Sequence, residues 1–258
     1  MKFVNIFTTW LEAQYPQLDV YLKIIKPKMT FAEVIKEHGY PVIGKDISSC
    51  VKYYRKGSQW AINNFEGLNR KGEIDTYKQG MYPQWKFLVD APFKISDACC
   101  GILKEEPFER YEKRTGRKPI LGLMAYESKR RKNAYLRGGC NSFENNRPMS
   151  TPIGFWTKQD ILWYLKRFNV PFSEAYGEII EELTSYKRKE NKPTGKLLCT
   201  GASRTGCQFC LFGIQQDCCP NRIQRMKEEY PNKYNYCIRE ENGLGLGKVM
   251  EYLRYPYE

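Results

Sequence analysis

The sequence predicts an α/β protein with a mostly parallel sheet. Segments of strand length alternate along the chain with amphipathic segments of helix length, and the chain contains no internal repeat. Its 258 residues allow one large domain or two small ones. A hydrophobic fraction of 41% and an aromatic fraction of 14% exclude wholesale disorder and suffice for a buried core.

The N-terminal third is predicted to contain a strand, a short helix and a long loop. Residues Lys2–Phe7 alternate in polarity, which is typical of a strand. Thr30 and Glu33 form a capping box, so we expect a helix over 31–37, closed by the glycine and proline that follow. Residues 53–80 are rich in Gly, Lys and Asn without periodicity, which indicates a loop with a fragment of helix.

The middle of the chain is predicted to contain two helices and a buried strand. A helix is expected over 105–115, and the apolar run Ile120–Ala125 reads as a buried strand. Thr157 and Asp160 form a second capping box. Behind it, apolar side chains recur at i, i+3, i+4 and i+7, the stripe of an amphipathic helix: Ile161, Tyr164, Leu165 and Phe168.

The C-terminal third is predicted to contain three helices, over 174–186, 222–229 and 247–253. A charged linker is expected over 185–196, after the first of them. We expect a single domain over 1–258. Its α/β part would occupy 1–180, and a cysteine-rich C-terminal part would occupy 181–258.

The chain is strongly basic. Its 42 Lys and Arg against 29 Asp and Glu give a net charge of +13 and a pI near 9.2. Between residues 128 and 168, nine Lys and Arg face two acidic residues. This balance predicts an anionic partner, either a phosphate-bearing ligand or nucleic acid.

Cysteine usage and hydropathy indicate a cytoplasmic protein without a membrane span. No run approaches the ~18 apolar residues that a spanning helix needs, and the N-terminus is too polar for a signal peptide. The ten cysteines are therefore not expected in disulfides. The single histidine, His38, makes histidine-rich zinc sites and a Ser-His-Asp triad improbable.

Two close-set cysteine pairs are the strongest local signal: Cys207 with Cys210 in a C-x-x-C motif, and the tandem Cys99-Cys100. Four thiolates suit a [4Fe–4S] cluster or a tetrahedral zinc site. A redox pair and plainly buried small hydrophobic residues are the other interpretations. Spacing alone leaves the ligand set open, because three further cysteines lie nearby in sequence: Cys199, Cys218 and Cys219. Three isolated cysteines are interpreted as structural: Cys50, Cys140 and Cys237.

A basic segment directly follows the predicted strand Ile120–Ala125. In open parallel α/β sheets, ligands bind beyond the carboxyl ends of strands. Ser128, Arg130 and Arg131 in this position would grip a phosphate or sulfate, and guanidinium groups bind such anions in a bidentate manner. A solvated charge run is the alternative. Arg204, three residues before the C-x-x-C motif, adds another cation.

Taken in order, these segments resemble the sulfonucleotide reductases, that is, the phosphoadenylyl- and adenylyl-sulfate (PAPS and APS) reductases and their phage- and plasmid-borne relatives. The resemblance runs from about residue 20 to the C-terminus. Its elements are Cys99-Cys100 with Lys104 and Pro107, Gly122–Arg131, Pro152-Ile-Gly-Phe-Trp156, Asp160-Ile-Leu-Trp-Tyr-Leu165, Val170-Pro171-Phe172 and Arg204-Thr-Gly-Cys-Gln-Phe-Cys210.

The resemblance implies a Rossmann-like fold of the adenine-nucleotide α-hydrolase type and one [4Fe–4S] cluster beside the anionic substrate. The implied ligands are the two pairs Cys99, Cys100, Cys207 and Cys210. The implied substrate and anion contacts are Ser128, Arg130, Arg131, Arg204 and Lys104. Zinc is the alternative metal, and no catalytic residue is assigned.

The sequence departs from the family at both ends. The first βα unit, with an S-G-G-x-D-S-type phosphate loop, is missing, so a partner subunit is one expected source of that part. The tail lacks the cysteine with which reductases attack the sulfate sulfur. We therefore expect sulfur transfer or substrate adenylation rather than sulfonucleotide reduction. Two other hypotheses are an inactive basic module that binds nucleic acid or a partner subunit, and a zinc-stabilised structural protein.

Overall fold

The structure is a computed structural model that describes residues 2–17, 22–143, 147–183, 193–202 and 206–258. Its helices are α1 (Lys2–Gln14), α2 (Phe31–His38), α3 (Lys45–Tyr54), α4 (Gln59–Phe65), α5 (Thr76–Met81), α6 (Ala98–Cys100), α7 (Glu106–Thr115), α8 (Lys129–Gly138), α9 (Lys158–Arg167), α10 (Arg222–Glu229), α11 (Pro231–Ile238) and α12 (Leu246–Leu253). A π-helical turn, Gly101–Glu105, joins α6 to α7. Short 3₁₀ turns cover Pro83–Asp90, Ala125–Glu127, Glu174–Tyr176 and Ile214–Gln216.

The described strands form three separate pairs: β1 (Val42–Ile43), β2 (Asn141–Ser142), β3 (Met149–Ser150), β4 (Ile179–Leu183), β5 (Pro193–Cys199) and β6 (Leu211–Phe212). β1 pairs with β6 in parallel, with Val42 opposite Leu211. β2 pairs with β3 and β4 with β5, both antiparallel. The protein is therefore mixed α/β, with helix predominating and one small parallel pair among the described strands.

Contacts divide the chain into two compact units. The first contains residues 1–24 and 111–206, and the second contains 25–110 and 207–258. The second unit holds the main hydrophobic core, in which β1, α3, β6 and α12 bury aliphatic side chains completely: Val42, Val51, Leu211 and Val249. Among the described residues of the first unit, Leu162 on α9 and Leu197 on β5 are the buried hydrophobic side chains.

Several predicted helices are confirmed. α2 begins at the predicted capping box, in which the Thr30 hydroxyl accepts from the Glu33 N–H and the Glu33 carboxylate accepts from the Thr30 N–H. α9 begins at the second predicted box. The helices predicted over 105–115, 222–229 and 247–253 are present as α7, α10 and α12.

Three predictions near the N-terminus and in the middle of the chain are wrong. Lys2–Phe7 is the start of α1, and Phe7 stacks on Trp10 one helical turn later with ring centroids 5.9 Å apart. Ile120–Ala125 is not a buried strand, because Ile120 makes a single bridge to Ser150 and is 77% exposed. Residues 53–80 contain α4 and α5 rather than one helical fragment.

The predicted helix over 174–186 is also wrong. Gly177 adopts a φ of +66°, which ends the 3₁₀ turn before it, and the chain continues as β4 paired with β5. Most of the predicted charged linker, residues 185–192, lies outside the described residues, and its last four residues begin β5. The predicted apolar stripe of α9 is only partly inward, because Ile161 and Leu165 are half-buried while Tyr164 and Phe168 are exposed. The buried residue of α9 is Leu162, which is not one of the four predicted stripe residues.

None of the described helices combines the length and apolar character required to cross a membrane.

Candidate functional site: a thiol cluster in the second unit

Residues close to each predicted cysteine pair form backbone hydrogen bonds with one extended segment, residues 40–43. The Tyr40 N–H donates to the Lys94 carbonyl at 2.8 Å, and the Ser96 N–H donates to the Tyr40 carbonyl at 3.1 Å. This bridge holds the chain just before the tandem pair. Two residues after Tyr40, β1 pairs with β6, which begins directly after the C-x-x-C motif. The backbone thus brings two segments together that are far apart in sequence.

The tandem pair lies at the start of a helical segment that changes from α-helix to π-helix. Cys99 and Cys100 form part of α6, and the π-helical turn that follows carries Lys104. π-helical turns are rare and occur frequently at functional sites. Cys99 is buried and Cys100 is half-buried. Both thiols are therefore shielded from solvent on the side of the unit's core.

Cys100 is the more acidic thiol of the pair. The pKa of Cys100 is lowered to about 6, chiefly by a hydrogen bond with Cys99 and also by the positive charges of Lys45 and Lys104, against the opposing effect of burial. The same hydrogen bond, together with burial, raises the pKa of Cys99. The two thiols therefore differ in acidity, and Cys100 is the one that loses its proton more readily.

The C-x-x-C motif forms a tight turn. The Cys210 N–H donates to the Cys207 carbonyl at 3.1 Å, and the Cys210 Sγ accepts from the Phe212 N–H at 3.4 Å. Burial raises the pKa of Cys210. Phe209, inside the motif, packs against Phe31 on α2 and Tyr236 on α11, with ring centroids 6.1 and 6.2 Å apart. The turn is thereby anchored in the core through its own aromatic residue.

The four thiols and one lysine interact across the two segments. The hydrogen bond with Cys100 and burial are the two largest causes that raise the pKa of Cys99, and the charges of Cys210 and Cys207 raise it as well. Burial lowers the pKa of Lys104, but a hydrogen bond to Cys207 and the thiolate charges raise it overall. We refer to Cys99, Cys100, Cys207 and Cys210 as the thiol cluster. Lys104 is its hydrogen-bonded counter-charge.

The chemistry of the thiol cluster fits an iron–sulfur or zinc centre, since four soft thiolates are the donor set of both. All ten cysteines are free. In the part of the chain that the structure describes, no group of three or more His, Cys, Asp or Glu side chains is positioned to hold a metal ion. As placed, the four sulfur atoms of the thiol cluster therefore do not form a metal-binding group.

Arg222 supports the C-x-x-C turn from the start of α10. Its Nη1 donates to the carbonyls of Cys210 and Phe212 at 3.2 and 3.1 Å. Its Nε and Nη2 bind both carboxylate oxygens of Asp217 at 2.7 Å. The guanidinium thus ties the end of the turn to the loop that precedes α10.

The remaining cysteines have different surroundings. Cys50 and Cys237 are fully buried, and burial raises their pKa to about 11 and about 12, as expected for structural cysteines. Cys218 and Cys219 are exposed. Cys140 and Cys199 are half-buried and belong to the first unit, whereas the thiol cluster belongs to the second.

The predicted anion-binding residues are divided between the units. Lys104 is in the second unit, and Ser128, Arg130 and Arg131 are in the first. Arg204 lies outside the described residues. The Ser128 hydroxyl caps α8 by accepting from the Arg131 N–H at 3.2 Å. The Arg131 guanidinium forms an ion pair with Glu127, and Arg130 is exposed.

A cavity of about 600 Å³ in the first unit lies beside these residues, within the ~300–1,000 Å³ typical of ligand pockets. Its charged lining consists of Arg131, Lys158 and Glu127, and Glu127 is ion-paired with Arg131. Ser128 adds a hydroxyl group. The remainder is mostly apolar or aromatic and includes Leu162 and Phe172. Such a lining suits a ligand with a planar apolar part and an anionic part.

Two contributors to the thiol cluster are not among the sequence-predicted site residues. Lys45 opens α3, and its charge lowers the pKa of Cys100. Arg222 contacts the C-x-x-C turn only through backbone carbonyls, and no motif in the sequence signals such a contact. Both depend on long-range packing, which local patterns do not encode.

Comparison with known proteins found no match: no family model, no curated protein and no solved structure is similar to this chain.

Proposed function

We propose that the chain is a cytoplasmic, PAPS-reductase-like protein that binds a [4Fe–4S] cluster and an adenine nucleotide, and acts in sulfur transfer or substrate adenylation. One observation carries the proposal. Two thiol pairs from distant segments meet beside Lys104 in the second unit, and they are the four cysteines that the resemblance implies as ligands.

The proposal includes a Rossmann-like arrangement of the parallel strands. Two features support it: the parallel pairing of β1 with β6, and the parallel bridge between Tyr40 and Ile95. Both cysteine pairs adjoin these parallel connections. Cys207 and Cys210 directly precede β6, and Cys99 and Cys100 follow the bridge at Ile95, so the thiol cluster would adjoin the small parallel pair.

The residues of the thiol cluster have separable roles in holding the proposed centre. Cys100, with its pKa lowered to about 6, is the thiol most readily deprotonated for binding. Lys104 and Lys45 place positive charge beside it, which offsets the negative charge that four thiolates bring together. When bound, the cluster would supply either a polarising charge or a sulfur atom for transfer. Arg222 keeps the C-x-x-C turn in place through the backbone.

The cavity in the first unit is the proposed nucleotide site. Arg131 and Lys158 offer positive charge for a phosphate or sulfate, and the apolar and aromatic lining offers a surface for a base. The exposed guanidinium of Arg130, next in sequence, adds a contact for the anion. No residue is assigned as nucleophile or general base.

The test is the absorption spectrum of protein purified without oxygen, compared across serine variants. We expect a broad band near ~400 nm, the usual mark of a [4Fe–4S] centre on four thiolates, that is lost in C99S, C100S, C207S and C210S. C218S is the matched control, because Cys218 is an exposed cysteine outside the thiol cluster. It should retain the band.

Two outcomes contradict the proposal. The first is a colourless protein in which the four variants have the same metal content as the wild type. The second is a band that C218S removes and C207S leaves intact. The nucleotide part is tested separately by calorimetric titration with AMP or ATP, in which R130A and R131A should weaken binding while C207S leaves it unchanged.

A further inference from the structure

The outward face of α9 exposes a row of aromatic rings. Trp163, Tyr164 and Phe168 are 47%, 42% and 55% exposed. Tyr164 and Phe168 are four residues apart, so they share one helix face, with ring centroids 4.6 Å apart. The Trp156 ring extends the row at 5.3 Å from Tyr164. Trp163 precedes Tyr164 by one residue, so it projects about 100° away around the helix and borders this row. We refer to Trp163, Tyr164 and Phe168 together as the α9 aromatic face.

The opposite side of α9 is fixed to the first unit, so this face is held outward. Leu162 is buried there. The Gln159 side chain donates to the Leu197 carbonyl and accepts from the Leu197 N–H, both at 2.8 Å, which ties α9 to β5. The helix that carries the α9 aromatic face is therefore anchored to β5.

Cations are interleaved with these rings. The Lys166 Nζ lies 5.8 Å from the centre of the Trp163 ring, and the Arg167 guanidinium lies 5.8 Å from the centre of the Phe168 ring. Lys158 is exposed at the start of the same helix. Asp160, the one acidic residue of α9, is engaged in the capping box with Thr157.

We propose that the α9 aromatic face binds single-stranded nucleic acid. Exposed rings offer stacking surfaces for bases, and adjacent Lys and Arg side chains pair with backbone phosphates, which is how sequence-tolerant single-strand binders work. The charge of the surrounding segment is complementary, with nine Lys and Arg against two acids over residues 128–168. Duplex bases are stacked on one another and offer no free faces, so the rings favour a single strand. This proposal is independent of the thiol cluster.

The experiment is fluorescence anisotropy with a labelled oligothymidylate of about 12 nucleotides, within the range of known site sizes. W163L and F168L should each weaken binding about tenfold, the effect of losing one base–ring stack. W163F keeps a ring and should restore most of the affinity. F108L is the matched control, because Phe108 is 55% exposed on α7 in the other unit. It should bind as the wild type does.

Salt dependence provides a second readout. Two phosphate contacts, from Lys166 and Arg167, predict a slope of log affinity against log salt of about −1.4. The proposal is overturned if W163L and F168L bind as tightly as F108L, or if a duplex of the same length binds as tightly as the single strand. It is also overturned if the face joins two copies of the chain, seen as a dimer that W163L dissociates.

Discussion

Arg222 should be a principal stabilising residue of the loop that carries the C-x-x-C motif. Its guanidinium makes two charged hydrogen bonds to Asp217 and two to the carbonyls of Cys210 and Phe212. The side chains of Arg222 and Asp217 are 31% and 15% exposed, so water offsets part of the loss when the pair is broken. We expect R222Q to lower the free energy of unfolding by roughly 2–3 kcal/mol, near the value of a single hydrogen bond to a charged group.

The assay is a double-mutant cycle by urea denaturation at neutral pH, with R222Q, D217N and the double variant. The pair should show a coupling of about 1–2 kcal/mol, since contacting charged side chains are non-additive on this scale. E228Q, on an exposed position of the same helix, is the control and should change stability by less than about 0.5 kcal/mol. A coupling energy below about 0.5 kcal/mol would refute the stabilising role assigned to the pair of Arg222 and Asp217.

Three further predictions concern pH, backbone geometry and capping. The hydrogen bond from Arg222 holds the pKa of Asp217 in the folded protein below its ordinary value. The stability that the Asp217 carboxylate contributes is therefore complete above the unfolded-state pKa of about 3.9, and it is lost as the pH falls through the lower folded-state pKa. The difference in urea midpoint between wild type and D217N should therefore shrink below about pH 4, and a constant difference would contradict the assignment. G39A should be strongly destabilising in thermal melts, because Gly39 has a φ of +109° and a Cβ there would overlap the Lys94 carbonyl group; a melt unchanged from wild type would show that this close approach is wrong. T30A should cost about 1 kcal/mol by removing the α2 cap, seen as a lower urea midpoint, whereas an unchanged midpoint would mean that the cap contributes nothing.

Local signals predict five of the twelve described helices: α2, α7, α9, α10 and α12. They fail for α1, whose first residues read as a strand, and they give no sign of α3, α8 or α11. The capping boxes at Thr30 and Thr157 each involve four consecutive residues, so the sequence contains both partners, and the structure forms both boxes. The C-x-x-C motif is equally local, and its turn is present as a hydrogen bond between Cys210 and Cys207. Where both partners of an interaction are near in sequence, the pattern suffices.

Strands could not be placed in the same way, because their partners are distant. The apolar run Ile120–Ala125 has strand character but obtains only one bridge, to Ser150. Residues 174–186 carry a helix-like pattern, yet Ile179–Leu183 pair with Pro193–Cys199. Tertiary pairing overrides local propensity in such cases. The alternation of Lys2–Phe7 was too short to distinguish a strand from the first turns of α1.

The candidate site is likewise only partly predictable from the sequence. The four cysteines were chosen through a family resemblance, whereas spacing alone also allowed Cys199, Cys218 and Cys219. In the structure, Cys199 belongs to the first unit, the four cysteines of the thiol cluster belong to the second, and Cys218 and Cys219 are exposed. Lys45 and Arg222 could not have been found from sequence, since each reaches the site through packing between distant segments.

The most direct measurement of the central claim is the number of iron, sulfide and zinc atoms per chain in protein isolated without oxygen. We predict about four irons and four sulfides per chain, the content of one [4Fe–4S] centre on four cysteines. About one zinc per chain, bound by the same thiols, would instead indicate a structural site. Protein that contains neither iron nor zinc, and takes up neither on reconstitution, would contradict a metal-binding role for the thiol cluster.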